Sequence, residues 1–152
     1  MGKYIALVGE DYRSAINSLW AVLKQDRFEP NELYMILDER NDSSDLLKDD
    51  FKEILKNYEI DCSVEMNTLS EIEDLRRMID GSDGNYIASI ALDISAASKL
   101  TAAKVLIDNG CDLFDHIFYL KVESEQKSLP LPIIEKDKVK LKDLLTEEIE
   151  VR

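Results

Sequence analysis

Short apolar runs alternate with amphipathic helical patterns along this chain, and that alternation constrains the fold more than any other feature. Five runs have the length of strands: 4–8, 32–37, 60–66, 86–92 and 116–121. Helical spacing of apolar residues separates each run from the next. The alternation predicts an α/β fold, a Rossmann-like three-layer sandwich with a mainly parallel sheet of five or six strands. We expect one domain over residues 1–152, ending in an extended closing segment at about 128–145.

Composition indicates a globular protein with a real core. Hydrophobic residues make up 45% and charged residues 34% of the 152 residues, which suits a packed domain and not a disordered one. No apolar run approaches the roughly 20 residues that span a bilayer. The start of the chain lacks the pattern of a signal peptide. We therefore expect a cytoplasmic protein with no membrane partner.

The net charge of −13 bears on which ligands are feasible. Broad, non-specific binding to DNA or RNA relies on a basic surface, so no DNA partner is expected. A few lysines and backbone amides can still hold a small anion in a local pocket.

Histidine and cysteine usage limits the chemistry. His116 is the only histidine, so a multi-histidine metal site is excluded and a Ser-His-Asp triad is disfavoured. Cys62 and Cys111 have no CxxC spacing and are expected to be buried free thiols. No metal and no cofactor is expected.

The topology points to two loops as the ligand site. In a doubly wound sheet of order 3-2-1-4-5, strands 1 and 4 are neighbours, and ligands bind beyond their carboxyl ends. The loops brought together there are 9–14 and 93–99. The first loop lacks the second and third glycines of a dinucleotide fingerprint. A phospho-receiver is disfavoured because its acceptor aspartate would end the third strand, where Met66 and Asn67 stand.

The loop after the fourth strand carries the groups that an anion needs. The start of the following helix, expected near residue 96, offers free N–H groups and a favourable dipole. Ser95 and Ser98 add hydroxyl donors, and Lys99 adds a positive charge. The alternative is that Asp93 or Ser95 only caps the helix and Lys99 is solvated. In the first loop, Asp11 is the expected N-cap of the first helix, and Arg13 and Ser14 face the same crevice.

Three stretches resemble the CARF domains (CRISPR-associated Rossmann-fold domains), which sense cyclic oligoadenylates in type III CRISPR systems. The first strand runs through a Gly9-containing loop into an amphipathic helix. Residues 92–100, LDISAASKL, look like the family's D-[IV]-[ST]-G-G-x-K motif, with alanines at the paired glycines. The stretches 129–134 and 139–145 are similar to the segment that closes many such domains.

The resemblance implies a homodimer that recognises a cyclic oligoadenylate, with cyclic tetra-adenylate favoured. It also implies a metal-independent ring cleavage that leaves linear products with 2′,3′-cyclic phosphate ends. In that interpretation Lys99 is the catalytic residue and stabilises charge on the phosphate. The ligand contacts would come from Gly9, Asp11, Arg13, Ser14, Asp93, Ser95, Ala96, Ala97 and Ser98. The alternative is a non-catalytic sensor or protein-interaction module with a degenerate nucleotide pocket, favoured by Ala96, Ala97 and the acidic charge.

Overall fold

Six strands form one sheet in the computed structural model, which describes residues 2–71, 75–80 and 89–146. The strands are β1 (Gly2–Val8), β2 (Glu32–Leu37), β3 (Ser63–Thr68), β4 (Ser89–Ala96), β5 (His116–Val122) and β6 (Val139–Asp143). Their order is β3-β2-β1-β4-β5-β6. All neighbouring pairs are parallel except β5 and β6. The predicted α/β class, the mainly parallel sheet and the order of its first five strands are confirmed.

Helices cover both faces of the sheet. Because alternate residues of a strand point to opposite faces, each strand contributes side chains to two cores. The helices are α1 (Tyr12–Lys24), α2 (Ser44–Asn57), α3 (Leu75–Asp80) and α4 (Lys99–Asn109). Tyr4 of β1 belongs to one apolar core with Leu19 of α1 and Phe51 of α2. Ile5, the next residue of β1, belongs to a second core with Val105 of α4.

The fourth strand ends later than the sequence predicts. It was expected over 86–92, with a helix from about residue 96, but β4 continues to Ala96 and α4 begins at Lys99. Residues 86–88 of that prediction lie outside the described part of the chain. The ladder with β1 explains the extension, since Val8 pairs with Ala96 and the Gly9 N–H donates to the Ala96 carbonyl at 2.9 Å.

The closing segment at 128–145 is only partly extended. It contains 3₁₀ turns at Leu131–Ile133 and Lys136–Lys138 before the antiparallel edge strand β6. Buried Asn17 of α1 holds this segment, because its side chain donates to the Leu129 carbonyl (2.9 Å) and accepts from the Leu131 N–H (3.0 Å). These two hydrogen bonds to the Asn17 side chain therefore hold the segment that leads to β6 against α1.

Two further expectations concern the cysteines and membranes. Both cysteines are free thiols, but Cys111 is exposed in a 3₁₀ turn after α4, so its predicted burial is wrong. Cys62 is half-buried. Within the described ranges, every helix is too short or too polar to cross a bilayer.

Candidate functional site

The loops after β1 and β4 meet at the switch point of the sheet. The hydrogen bond from Gly9 to the Ala96 carbonyl joins them. A Cβ built on Gly9 would lie 3.2 Å from the Ala96 oxygen and 3.5 Å from the Ser98 nitrogen. Glycine therefore permits this close approach. We call the place where Gly9, Asp38, Ser98 and Lys99 come together the carboxyl edge.

Asp11 and Ser14 form the start of α1. The Asp11 carboxylate accepts from the Ser14 N–H at 3.1 Å and from the Ser14 hydroxyl, which confirms Asp11 as the predicted N-cap. Ser14 is buried, and its hydroxyl is engaged by the cap. Arg13, half-buried between them, is the cation that this turn contributes.

Asp93 lies inside the sheet and not in a loop. Its carboxylate accepts a hydrogen bond from the Tyr4 hydroxyl and another from the Ser95 N–H at 2.9 Å. Only 2% of Asp93 is exposed. Burial raises the pKa of Asp93, and hydrogen bonds from Ser18, Tyr4 and Ser95 lower it in part. Tyr4 also has a raised pKa, first because of burial and then because of the Asp93 charge.

Ser95 is likewise engaged internally. Its hydroxyl donates to the Ser18 hydroxyl of α1 at 2.9 Å and accepts from the Leu120 N–H of β5 at 2.9 Å. The side chain thus ties β4 to a helix and to the neighbouring strand. The sequence predicts Asp93 and Ser95 as ligand contacts, whereas the structure directs both into internal hydrogen bonds because β4 extends past them.

Ala96 and Ala97 complete the turn into α4. Ala96 is buried, with 6% of its surface exposed, and packs in the core shared with α1. The Ala97 N–H donates to the Ile94 carbonyl at 3.1 Å. These alanines shape the turn through their backbone, and the Ala96 methyl group points away from the carboxyl edge into the core.

Ser98 and Lys99 are exposed at the beginning of α4. Ser98 is the N-cap, and its hydroxyl accepts from the Thr101 N–H at 3.2 Å. Asp93 and Ser95 are therefore not the caps. The N–H groups of Lys99 and Leu100 precede the first intrahelical acceptor. These two N–H groups and the Lys99 ammonium group can contact a ligand at the carboxyl edge.

Asp38 also lies at the carboxyl edge, and the sequence prediction did not name it. It follows β2 directly, is exposed, and accepts from the Thr101 hydroxyl at 2.9 Å. A Cβ on Gly9 would lie 3.4 Å from Asp38 Oδ2. The predicted strand order could have identified Asp38, because strand 2 lies next to strand 1. The residue that follows strand 2 must then lie at the same edge of the sheet.

A second polar cluster lies at the opposite end of the sheet. His116 Nδ1 and Asp143 Oδ2 are 2.7 Å apart, and the buried carboxylate also accepts from the N–H groups of Ile117 (3.1 Å) and Leu145 (3.2 Å). Burial raises the pKa of Asp143, but these hydrogen bonds outweigh it and leave the pKa below its ordinary value. The His116 ring stacks on Phe118 with a centroid distance of 5.3 Å. The pair holds β6 against β5.

The described residues contain no group of three or more acidic, histidine or cysteine side chains arranged to hold a metal ion. Comparison with family models, with curated proteins and with solved structures found no match to this chain.

Proposed function

We propose that this protein recognises a cyclic oligoadenylate at the carboxyl edge, in type III CRISPR signalling. The observation that carries the proposal is the bond between Gly9 and the Ala96 carbonyl. It brings the loop after β1 to the start of α4, where Lys99 is exposed. The CARF-like motif lies in this same turn. A cytoplasmic location, which the signalling role implies, belongs to the same proposal.

The local chemistry supports a phosphate-containing ligand. The helix dipole and the first-turn amides of Lys99 and Leu100 favour an anion. The Lys99 side chain adds a full positive charge, and Arg13 is a second cation, in the first turn of α1. Because the whole chain carries a net charge of −13, binding depends on these local groups and not on the overall field.

We propose further that two copies bind one ring. Leu100 and Ile107 of α4 are each 81% exposed, and Ala103, also exposed, lies between them on the same helical face. Residues spaced by three and four positions share a face of a helix. Association through this apolar face would bring two Lys99 side chains near a shared two-fold axis, which matches the symmetry of a cyclic tetra-adenylate.

Cleavage is the enzymatic form of the proposal. The ribose 2′-hydroxyl gives up its proton as its oxygen forms a bond to the adjacent phosphorus, the bond from phosphorus to the 5′-oxygen breaks, and the 5′-oxygen takes up a proton, so there is no net change in protons. The products are linear, with 2′,3′-cyclic phosphate ends. Lys99 would stabilise the negative charge that develops on the phosphate. The reaction otherwise depends on how the ribose is oriented.

Calorimetry with purified protein and cyclic tetra-adenylate tests the proposal. Wild-type protein should bind the ring, and Lys99→Ala should weaken binding by about tenfold or more, the usual cost of a lost charged hydrogen bond. Lys104→Ala, which removes an exposed lysine further along α4, is the matched control and should bind normally. Absence of binding by the wild-type protein would refute the proposal.

A non-catalytic sensor or interaction module is the second candidate. The inward hydrogen bonds of Asp93 and Ser95, and the buried Ala96, favour it because they leave few side chains to orient a reacting ribose. Chromatography of the incubated ligand separates the two candidates. Binding with the ring recovered intact supports the sensor, and linear products support the enzyme.

A further inference from the structure

A cavity of about 320 Å³ lies where α1, the β5–β6 ladder and the closing segment meet. Leu120 and its ladder partner Leu141 line it from the sheet, Ala21 lines it from α1, and Leu131 and Ile134 line it from the closing segment. All five residues are buried. Small-molecule sites have volumes of about 300–1,000 Å³, so this cavity has room for a small ligand.

The closing segment is held in place on both sides of the cavity. Asn17 of α1 holds its first part through the two hydrogen bonds described above. Further along, the Glu135 N–H donates to Gln126 Oε1 at 2.9 Å, and the ladder with β5 begins at Val139. Ala21, one turn after Asn17 on the same side of α1, has only a methyl group to place in the gap. The space is therefore formed by the hydrogen bonding of the fold.

The polar residues of the lining carry positive charge or none. Seven of the ten described residues that line the cavity are apolar, and the other three are Lys24, Gln25 and Lys136. None of the ten is acidic, although the chain has 32 aspartates and glutamates against 19 lysines and arginines. Both lysines are exposed, which places them at the mouth. Within the described part of the chain, neither has an ion-pair partner.

That combination selects one class of ligand. A cation would meet two lysines of like charge, and a wholly polar ligand would lose its hydration against aliphatic side chains. An aliphatic chain with one carboxylate suits both parts, because the chain leaves water for the apolar lining and the carboxylate accepts charge-assisted hydrogen bonds from ammonium groups. The carbonyls of residues 21–23 at the end of α1, which would repel an anion, already accept from the N–H groups of residues 25–27.

We propose that this cavity is a second ligand site, which binds a small molecule with an aliphatic chain and a carboxylate head. The chain lies against Leu120 and Leu141, and the carboxylate accepts from the Lys24 and Lys136 ammonium groups at the mouth. None of the described lining residues belongs to the carboxyl edge. The site therefore goes beyond the proposed function and does not depend on it.

An NMR titration of the backbone amide signals with octanoate tests the site. Octanoate should shift the signals of Leu120 and Leu141 in a saturable manner. Octanol, which has the same chain without the charge, should bind about threefold to tenfold more weakly. The double variant Lys24→Gln and Lys136→Gln should weaken octanoate by a similar factor and leave octanol unchanged. Lys140→Gln removes a charge from the opposite face of β6 and should bind octanoate normally.

A blocking variant provides an independent check. Val139→Phe enlarges a half-buried side chain of the lining and should abolish binding of both compounds, with a thermal melt to show that the variant is folded. Absence of saturable octanoate shifts at the lining residues of the wild type overturns the site. Equal binding of octanoate and octanol, or normal octanoate binding by the double lysine variant, also overturns it. Binding of cyclic tetra-adenylate should be the same in all these variants, so the two proposals fail separately.

Discussion

The hydroxyl of Tyr4 donates a hydrogen bond to the carboxylate of Asp93, although 89 positions separate the two residues in the chain. Both side chains are buried, with 0% and 2% of their surfaces exposed. The bond crosses from β1 to β4, the two strands whose ends carry the proposed ligand. The polar interior of the sheet and the position of the site therefore depend on the same pair of strands.

Asp93→Ala should lower the free energy of unfolding by about 1–3 kcal/mol. The change leaves the Tyr4 hydroxyl and the Ser95 N–H without their acceptor in a buried place, which is the costly way to lose a hydrogen bond. Urea denaturation measures the effect. Asp108→Ala, at an exposed position of α4, should change stability by less than about 0.5 kcal/mol. Equal stabilities of the two variants would contradict the buried network.

The pH dependence of stability should carry the signature of Asp93. Burial raises its pKa in the folded protein above the unfolded value of about 3.9. The unfolded state then loses its proton first, so the stability that protonated Asp93 contributes falls as the pH rises through the folded pKa. The free energy of unfolding of the wild type, minus that of Asp93→Asn, should decrease over this window. An increase in that difference would contradict a raised pKa for Asp93 in the folded protein.

Asp143 should make the stability of the protein depend on pH in the opposite direction, at acid pH. Although burial opposes ionisation, hydrogen bonds from His116 and from backbone N–H groups lower its pKa in the folded state. Its contribution to stability is complete above about pH 3.9 and is lost as the pH falls through the folded pKa. The stability advantage of the wild type over Asp143→Asn should therefore shrink on acidification below about pH 4. Denaturant titrations at stepped pH measure it, and a constant difference would contradict the shift.

Two glycines of β1 and its following loop should behave differently on substitution by alanine. A Cβ on Gly2 would lie 2.5 Å from the Glu29 carbonyl oxygen, so Gly2→Ala should cost about 1–3 kcal/mol of stability and leave ligand binding unchanged. A Cβ on Gly9 meets its neighbours at 3.2 to 3.5 Å. Gly9→Ala should keep stability to within about 1 kcal/mol but weaken binding of cyclic tetra-adenylate, since the methyl group would lie against the start of α4 at the carboxyl edge. Normal binding by Gly9→Ala would contradict the site.

Association through α4 should depend on its apolar outer face. Leu100→Glu and Ile107→Glu place charges at positions that are 81% exposed, so they should abolish dimers without unfolding the chain. Leu46→Glu, at a 65% exposed position of α2, is the control and should leave dimers intact. Sedimentation velocity distinguishes the species. A monomeric wild type, or dimers in the α4 variants, would rule out this interface.

The alternation of apolar runs and helical patterns was sufficient to predict the strand order and the meeting of the loops after β1 and β4. The same pattern predicted the end of β4 wrongly, because Asp93 and Ser95 are polar residues of the kind that is common in loops. Their polar groups are satisfied by Tyr4 and Ser18, residues 89 and 77 positions away, and such partners leave no local trace in the sequence. Asp38 was missed for a different reason: the prediction considered only the ends of strands 1 and 4, although the predicted order places the end of strand 2 at the same edge. Its hydrogen bond from Thr101, 63 positions later, is visible only in the structure.

The pairing of His116 with Asp143 has a consequence for the rate of any reaction. The only imidazole of the chain stabilises the strand at the far end of the sheet, where β5 begins. The proposed ring cleavage at the carboxyl edge would then have no imidazole for proton transfer, so any general acid–base assistance would have to come from carboxylate or lysine side chains.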